Sequence, residues 1–479
     1  MTIALLPLDS RPCNVRFPVQ LAAWCGHKVL VPEREEMDDF TSPAPFAASR
    51  EALLRMGEGA DAFVICADHL IYGSLLASRA YAVDTEEALE RLDFLRELHA
   101  RFPEKPIQLV STIMRSSLST LCAGDLEAYE AMSVYSECTD RAQTVRSSKE
   151  RAALLSRAEE AKAHIPGEVL ERYMQVRARN HAVNRACIAL RRENVVSSLL
   201  ILMEDAPKFG FHRSEQRTLL KDMQGLTAVF LQNGTDEGGC LAVMRQILAS
   251  SPMEMDVCYL GGDFTARYED REFAENVFSC MAYLGVEYDP ASPAVLAIAC
   301  PSGKEQPEQE SDADEAHVRA VARCIDEMAD AGSPIYLLDL IHANGGSTRL
   351  MNTLKSLDLL CGYSAWNTAS NSLGTLLAQY VSDRLAGKVQ TDFRNARFLD
   401  DYVYQSEIRP ELNARLRDEG EDPFRLRDKA GAERMLQSMF DAYPGPVMQV
   451  TGRCRARLPW ARTFEADIEV NADGERTEG

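Results

Sequence analysis

Ser198-Leu-Leu-Ile-Leu-Met-Glu-Asp-Ala-Pro-Lys-Phe-Gly210 is an apolar run that stops at two adjacent acids, Glu204 and Asp205, and then at Pro207 and Gly210. A short unbroken apolar run closed by turn formers reads as a strand buried on both faces of a parallel sheet. Acids just past the carboxyl end of such a strand stand where barrels and open α/β sheets both place their ligands. The same two acids also suit the cap of a following helix. The rest of the chain decides between these readings.

The pattern recurs. Ile3 to Asp9, Ala62 to Asp68, Ile107 to Ile113, Thr227 to Gln232, Asp256 to Leu260, Ala294 to Cys300, Pro334 to Asp339 and Leu357 to Tyr363 are all apolar runs that end in polar or turn-forming residues. Between them lie amphipathic segments such as Thr85 to Phe102, with Leu at helical spacing among Glu and Arg. Repeated strand-loop-helix units imply an α/β protein with a parallel sheet and helices outside it. About ten strands suit a (β/α)8-barrel-like sheet with extra elements, or alternatively doubly wound open sheets. Polar residues follow nearly every strand rather than one crossover, which favours the barrel-like arrangement.

Four regions are expected. Residues 1–124 form the first part of the α/β domain, and 195–390 the second part. Between them, 125–194 lack strand signals and read as a helical insertion, broken at Pro166-Gly167. Residues 391–479 form a C-terminal region, helical and charged to Tyr443 and then extended over Val447 to Arg457 and Phe464 to Val470.

Composition narrows the function. A net charge of -21 with no offsetting basic block argues against nucleic acid as a partner. Thirteen cysteines, an odd number without C-x-x-C spacing and partly inside apolar runs, fit a reducing cytoplasm rather than a disulfide framework. The opening residues lack the basic region of a signal peptide, and no stretch approaches the roughly 18 apolar residues that span a bilayer. A cytoplasmic protein that does not engage a membrane is expected, and a homo-oligomer is compatible with the sequence. No P-loop, G-x-S-x-G, H-x-H or H-E-x-x-H motif occurs, and Asn344-Gly-Gly346 is too short for a dinucleotide fingerprint, so no cofactor or resident metal is assigned.

The strand exits carry Asp9, Arg11, Asn14, Asp68, Arg115, Glu204, Asp205, Asp236, Glu237, Asp263, Asp339, Asn344, Trp366, Asn367 and Asn371. Any one of these could be a cap or turn residue. At one register of many strands they would line a pocket with carboxylates, amides and an indole. Such a lining suits a small polyhydroxylated ligand: carboxylates and amides bond hydroxyls, and Trp366 can stack on a sugar face. Paired carboxylates also supply the acid and the base or nucleophile of glycosidic cleavage. Two doublets compete for that role, Glu204-Asp205 and Asp236-Glu237, with Asp236 equally suited to a helix N-cap. Arg11 and Arg115 could hold an anionic substituent. Arg177, Asn180 and Asn184 share one helix face, which either overhangs the site or is solvated.

Local resemblances sharpen the reading. Asn233-Gly-Thr-Asp-Glu-Gly-Gly239 is similar to the Gly-Gly-Asp-Glu segment of barrel β-N-acetylhexosaminidases, which implies Asp236 as the orienter of an acetamido group and Glu237 as the general acid. Met203-Glu-Asp-Ala-Pro207 is similar to the acidic doublet of other substrate-assisted hexosaminidases, with Trp366-Asn367 and Asn371 as their late amide-rich segment; Glu204 here stands where that group has Asp. Longer segments, Pro7-Leu-Asp-Ser-Arg-Pro-Cys-Asn14, Trp366-Asn-Thr-Ala-Ser-Asn-Ser-Leu-Gly-Thr375 and Pro459-Trp-Ala-Arg-Thr-Phe-Glu465, resemble the signatures of a bacterial family of unknown function, domain-of-unknown-function family 4127. That resemblance implies membership and no activity.

The expectation is a glycoside hydrolase-like enzyme cleaving a small N-acetylated or acidic sugar with paired carboxylates. The alternatives are a metal-dependent hydrolase or lyase drawing on His69, His212 and His342 with Asp68, Asp205 or Asp339, and a non-catalytic sugar-binding protein.

Overall fold

The computed structural model describes residues 1–80, 82–118, 126–248, 253–310, 314–445 and 447–470. Two compact units emerge. The first comprises Met1–Ser10, Lys28–Gln246 and Tyr268–Arg271, and the second Arg11–His27, Ile247–Arg267 and Glu272–Gly479.

The first unit is built on six strands, β1 (Thr2–Leu6), β2 (Lys28–Leu30), β3 (Ala62–Cys66), β4 (Ile107–Ile113), β5 (Ser198–Met203) and β6 (Val229–Asn233). They form one sheet in the order β2-β1-β3-β4-β5-β6, with every pair parallel. The run Ser198–Met203 is buried at every position, which is why it lacks the alternation of a one-sided strand. Period two still sorts its side chains. Leu199, Ile201 and Met203 join Phe63, Leu109, Leu95 and Ile188 in one apolar cluster, while Leu200 and Leu202 are buried on the other face. The order reverses between β1 and β3, so Asp9 and Asp68 leave the sheet on either side of the switch point, where open α/β sheets form a crevice.

The helical insertion consists of helices Leu126–Thr144, Ser148–Ala163 and Gly167–Arg192. The expected boundary at 124/125 lies outside the described residues. The first two helices pack on each other, and the third lies along β4 and β5.

The second unit has its own parallel sheet of β7 (Met253–Leu260), β8 (Val286–Tyr288), β9 (Val295–Ala299), β10 (Ile335–Asp339) and β11 (Leu360–Ser364), in the order β11-β10-β9-β7-β8. The α/β class expected from sequence is therefore met, with the parallel strands in two sheets of six and five. Two local expectations change. Val447–Thr451 is a short helix rather than part of an extended piece, and only β12 (Cys454–Arg457) pairs antiparallel with β13 (Asp467–Val470). Lys304 to Glu315 reads in sequence as an acidic solvated loop, yet Glu315 already opens the helix Glu315–Asp330; residues 311–313 lie outside the described residues. No helix among the described residues is long and apolar enough to cross a membrane.

Ile201 is fully buried in the first sheet. Ile201→Ala should cost about 2–5 kcal/mol, because the cavity left between two helix-covered faces collapses only partly. Denaturant unfolding measures this, and a loss below about 1 kcal/mol would show that Ile201 is not closely packed in that sheet.

Candidate functional site

The carboxyl edge of the first sheet gathers Asp9, Asp68, Arg115, Glu204, Asp205, Asp236 and Glu237 at the exits of β1, β3, β4, β5 and β6. All but Arg115 and Asp205 are buried. Burial, with the charge of Glu204 adding to it, pushes the Asp68 carboxyl up to about 6. Glu204 is ion-paired with Arg79 through Oε1, Arg115 Nε lies 4.0 Å from the same oxygen, and the Arg115 backbone N–H donates to Oε2 at 3.4 Å. Arg115 also donates to Asp205 at 3.0 Å, and Asp205 adopts a left-handed backbone (φ 37°) to reach it. The opening doublet is thus held by two arginines. A cavity of about 780 Å³ of empty space, part of it open to solvent, lies beside Arg79 between Met114, Leu118, Tyr173 and Val176.

The second doublet is arranged differently. Glu237 turns back over its own loop and accepts the Thr235 N–H at 2.9 Å. Gly234 makes this fold possible, since a Cβ there would lie 1.7 Å from Glu237 Oε1 and its φ is +118°. Burial, reinforced by the charges of Asp236 and Glu269, pushes the Glu237 carboxyl up to about 8. Burial thus favours the neutral form of this side chain.

The shared face of Arg177, Asn180 and Asn184 is buried rather than solvated. Arg177 donates to the carbonyls of Met114 and Arg115 at 2.9 Å, Asn180 to Ser78 at 3.0 Å and Asn184 to Thr112 at 3.1 Å. The stripe fixes the exit of β4 by satisfying its carbonyls. The histidines are also engaged. Burial lowers His69 to about 4, and its Nδ1–H donates to the Pro7 carbonyl at 2.8 Å. His212 donates from Nε2 to the Pro207 carbonyl at 2.8 Å and accepts from the Ser116 hydroxyl at 2.6 Å. Among the described residues no group of three or more His, Cys, Asp or Glu side chains is placed to hold a metal ion.

The second unit contains a narrow cleft of about 450 Å³ of empty space, counting the part open to solvent. Four residues singled out in the sequence line it: Arg11, Asn344, Trp366 and Asn367. Asn344 follows β10 and Trp366-Asn367 follows β11, both at carboxyl ends. The two loops are tied together by the Asn344 N–H donating to the Asn367 carbonyl at 3.1 Å, and both asparagines sit in the left-handed region (φ 64° and 58°) that this residue type tolerates. Arg11 precedes the helix Pro12–Trp24, and Pro12, Cys13 and Phe17 of that helix complete one wall. Phe464, Glu465 and Ala466 come from the turn before β13. Segments of all three quoted signatures therefore meet in one cleft.

The remaining wall was not foreseen. Arg397 closes the helix Thr391–Arg397, and a π-helix follows at Phe398–Ile408, with Arg409 N–H bonded back to the Tyr404 carbonyl. Pro410, without an N–H, prevents the wide turn from continuing. Such segments are rare and concentrate at functional sites. It presents Asp400 and Gln405 to the cleft, with Arg397 before it and Arg409 after it. Gly345 and Gly346 let the Asn344 loop lie against this helix, since a Cβ on Gly345 would stand 2.5 Å from Ser406 Oγ and one on Gly346 3.1 Å from Tyr402 Cβ. The Gly346 N–H donates to the Asp401 carbonyl at 2.9 Å, and Ser406 Oγ donates to the Gly346 carbonyl at 2.7 Å. The glycine pair thus serves loop packing.

Other predicted positions support these walls. Asp339 is fully buried, accepts the Ser347 N–H at 2.7 Å and the Tyr363 hydroxyl at 3.3 Å, and holds the β10 loop. Asn14 and Asn371 are buried within the helices Pro12–Trp24 and Ala369–Ala386.

Fold and site together define an α/β protein with two parallel sheets and a narrow cleft of aromatic, amide and carboxylate groups. The chain belongs to the family described as "Protein of unknown function (DUF4127)", which matches residues 3–469 and so nearly its whole length. No curated protein and no solved structure matches it.

The raised Glu237 carboxyl has a thermodynamic signature. Its protonated form is favoured in the fold, so this contribution to stability is complete below the ordinary value of 4.5, drains as pH rises and is gone above about 8. Glu237→Gln cannot ionise. The melting temperature of the variant minus that of the wild type should therefore rise between pH 4.5 and 8 and then level off. A difference that stays flat over this window would show that Glu237 is not held neutral.

Proposed function

We propose that this protein is a glycosidase-like hydrolase that holds a small sugar in the cleft of its second unit. One observation carries the reading: two carboxyl groups, Asp400 and Glu465, line the same cleft as aromatic rings and amides. Burial pushes Asp400 upward against the pull of Arg397, which favours its acid form. Glu465 receives Arg462 Nε at 2.8 Å with Arg11 at 3.7 Å. Two carboxyl groups in one site can divide the acid and base roles of glycosidic cleavage. Asp400 then protonates the leaving glycosidic oxygen, and Glu465 takes the proton of the attacking water as its oxygen bonds to the anomeric carbon.

The lining supports a sugar as the ligand. The Trp366 and Phe464 rings line the cleft, and the buried Trp366 Nε1–H, which has no hydrogen-bond partner within the protein, would gain one from a ligand acceptor that reaches it. Asn344, Asn367 and Gln405 add amide groups around it.

A panel of aryl glycosides tests the proposal. Asp400→Asn and Glu465→Gln should each lower kcat by about 10²–10⁴-fold with binding retained. Activity in the wild type should fall on the alkaline side as Asp400 loses its proton. Full turnover in both variants would overturn the assignment. Loss of turnover instead in Glu204→Gln or Glu237→Gln would place the chemistry at the acidic edge of the first sheet.

A further inference from the structure

We infer that the sugar held in this cleft carries an oxyanion, a carboxylate or a phosphate, and that Arg409 receives it. The inference rests on the cleft being a sugar site and adds the class of substrate. It follows from the charges around the cleft. Arg397 is paired with Asp401 at 2.8 Å and also donates to Asp400 at 3.0 Å. Glu465 is matched by Arg462 in a two-point pair and lies 3.7 Å from Arg11. Arg409 has no ion-pair partner within 4 Å among the described residues, and its one hydrogen bond runs from Nη1 to the Phe464 carbonyl at 3.3 Å. A carbonyl accepts a hydrogen bond but brings no negative charge, and Glu465 and Asp400 act on Arg409 only from beyond ion-pair range.

Position makes the surplus useful. Arg409 lies at the junction of the π-helix and the helix Arg409–Asp418, with its guanidinium carbon 5.3 Å from the centre of the Phe464 ring. The ring and the Phe464 carbonyl limit the side chain to one orientation, and it lines the cleft. A fixed, partly buried guanidinium presents a planar fork suited to two oxygens of a carboxylate or phosphate. Burial penalises its charge and lowers its proton affinity. An anionic ligand would relieve that penalty, and a neutral sugar would not. The surrounding donors fit the same ligand, because Trp366 Nε1–H can meet only an acceptor.

Calorimetric titration of the full chain with glucose, glucuronate and glucose 6-phosphate tests this. Either anion should bind at least about tenfold more tightly than glucose. The stronger of the two identifies the group as carboxylate or phosphate. Arg409→Gln should abolish the preference for the anions over glucose, and Arg409→Lys should recover part of it. If Arg409→Gln does not fold, the salt dependence of the wild type decides: affinity for the anion must fall with ionic strength and affinity for glucose must not. Equal affinity for all three sugars, or a preference that survives in Arg409→Gln, overturns this inference and leaves the sugar site standing. No binding of any sugar overturns both.

Discussion

The cleft depends on the guanidinium of Arg397, which is 1% exposed and clamps two consecutive acids of the π-helix. Asp401, one of those acids, also accepts the Ala365 N–H at 2.9 Å and the Ser364 hydroxyl at 3.0 Å, so the clamp reaches the end of β11 and sets where Trp366 begins. The guanidinium carbon lies 4.1 Å from the centre of the Phe17 ring, which brings in the helix that starts at Arg11. One side chain thus ties three walls together. Breaking such a buried pair by removing one partner typically costs about 3–5 kcal/mol, because a charge is left stranded. The arrangement fixes Asp400 beside the cleft and leaves Arg409, beyond the reach of the clamp, with its charge unmatched.

The two sheets use their carboxyl edges in different ways. In the first unit, acids are buried and mostly engaged by arginines, backbone N–H groups or neighbouring loops, as with Glu204 under Arg79 and Glu237 over Gly234. Asp68 and Glu237 are held toward their acid forms there. In the second unit the polar groups border empty space. The second edge is distinguished by what lines it, aromatic rings and amides beside two carboxyl groups, while the larger cavity of the first unit lies beside Arg79 among mostly apolar residues.

Much of the fold was legible in the sequence. The buried parallel strands announced themselves as unbroken apolar runs, and the region without strands at 126–192 proved helical. Arg11, Asn344, Trp366 and Asn367 were found because they follow strands, and sequence neighbours of a strand end stay near that end in space. Asp400, Gln405 and Arg409 were not, since their spacing belongs to a π-helix rather than to the 3.6-residue period by which helix faces are read. The surrounding charges then look like a solvated surface. Pro410 after Tyr402-Val-Tyr-Gln-Ser-Glu-Ile408 was the available signal, marking a break inside an otherwise helical stretch. Phe464 and Glu465 were quoted as part of a signature, but only the turn before β13 brings them to the cleft. Val447–Thr451 was misread because β-branched residues favour strands, while packing of Val447 and Thr451 in the core supports a helix there.

The central claim is that the cleft of the second unit binds the ligand. The chain has three tryptophans, Trp24, Trp366 and Trp460, and only Trp366 lines that cleft. Fluorine NMR of protein labelled with 5-fluorotryptophan, titrated with glucuronate, addresses it most directly. The account predicts that the Trp366 resonance shifts saturably while that of Trp24 stays in place. Saturable binding of glucuronate that leaves the Trp366 resonance unmoved would contradict it.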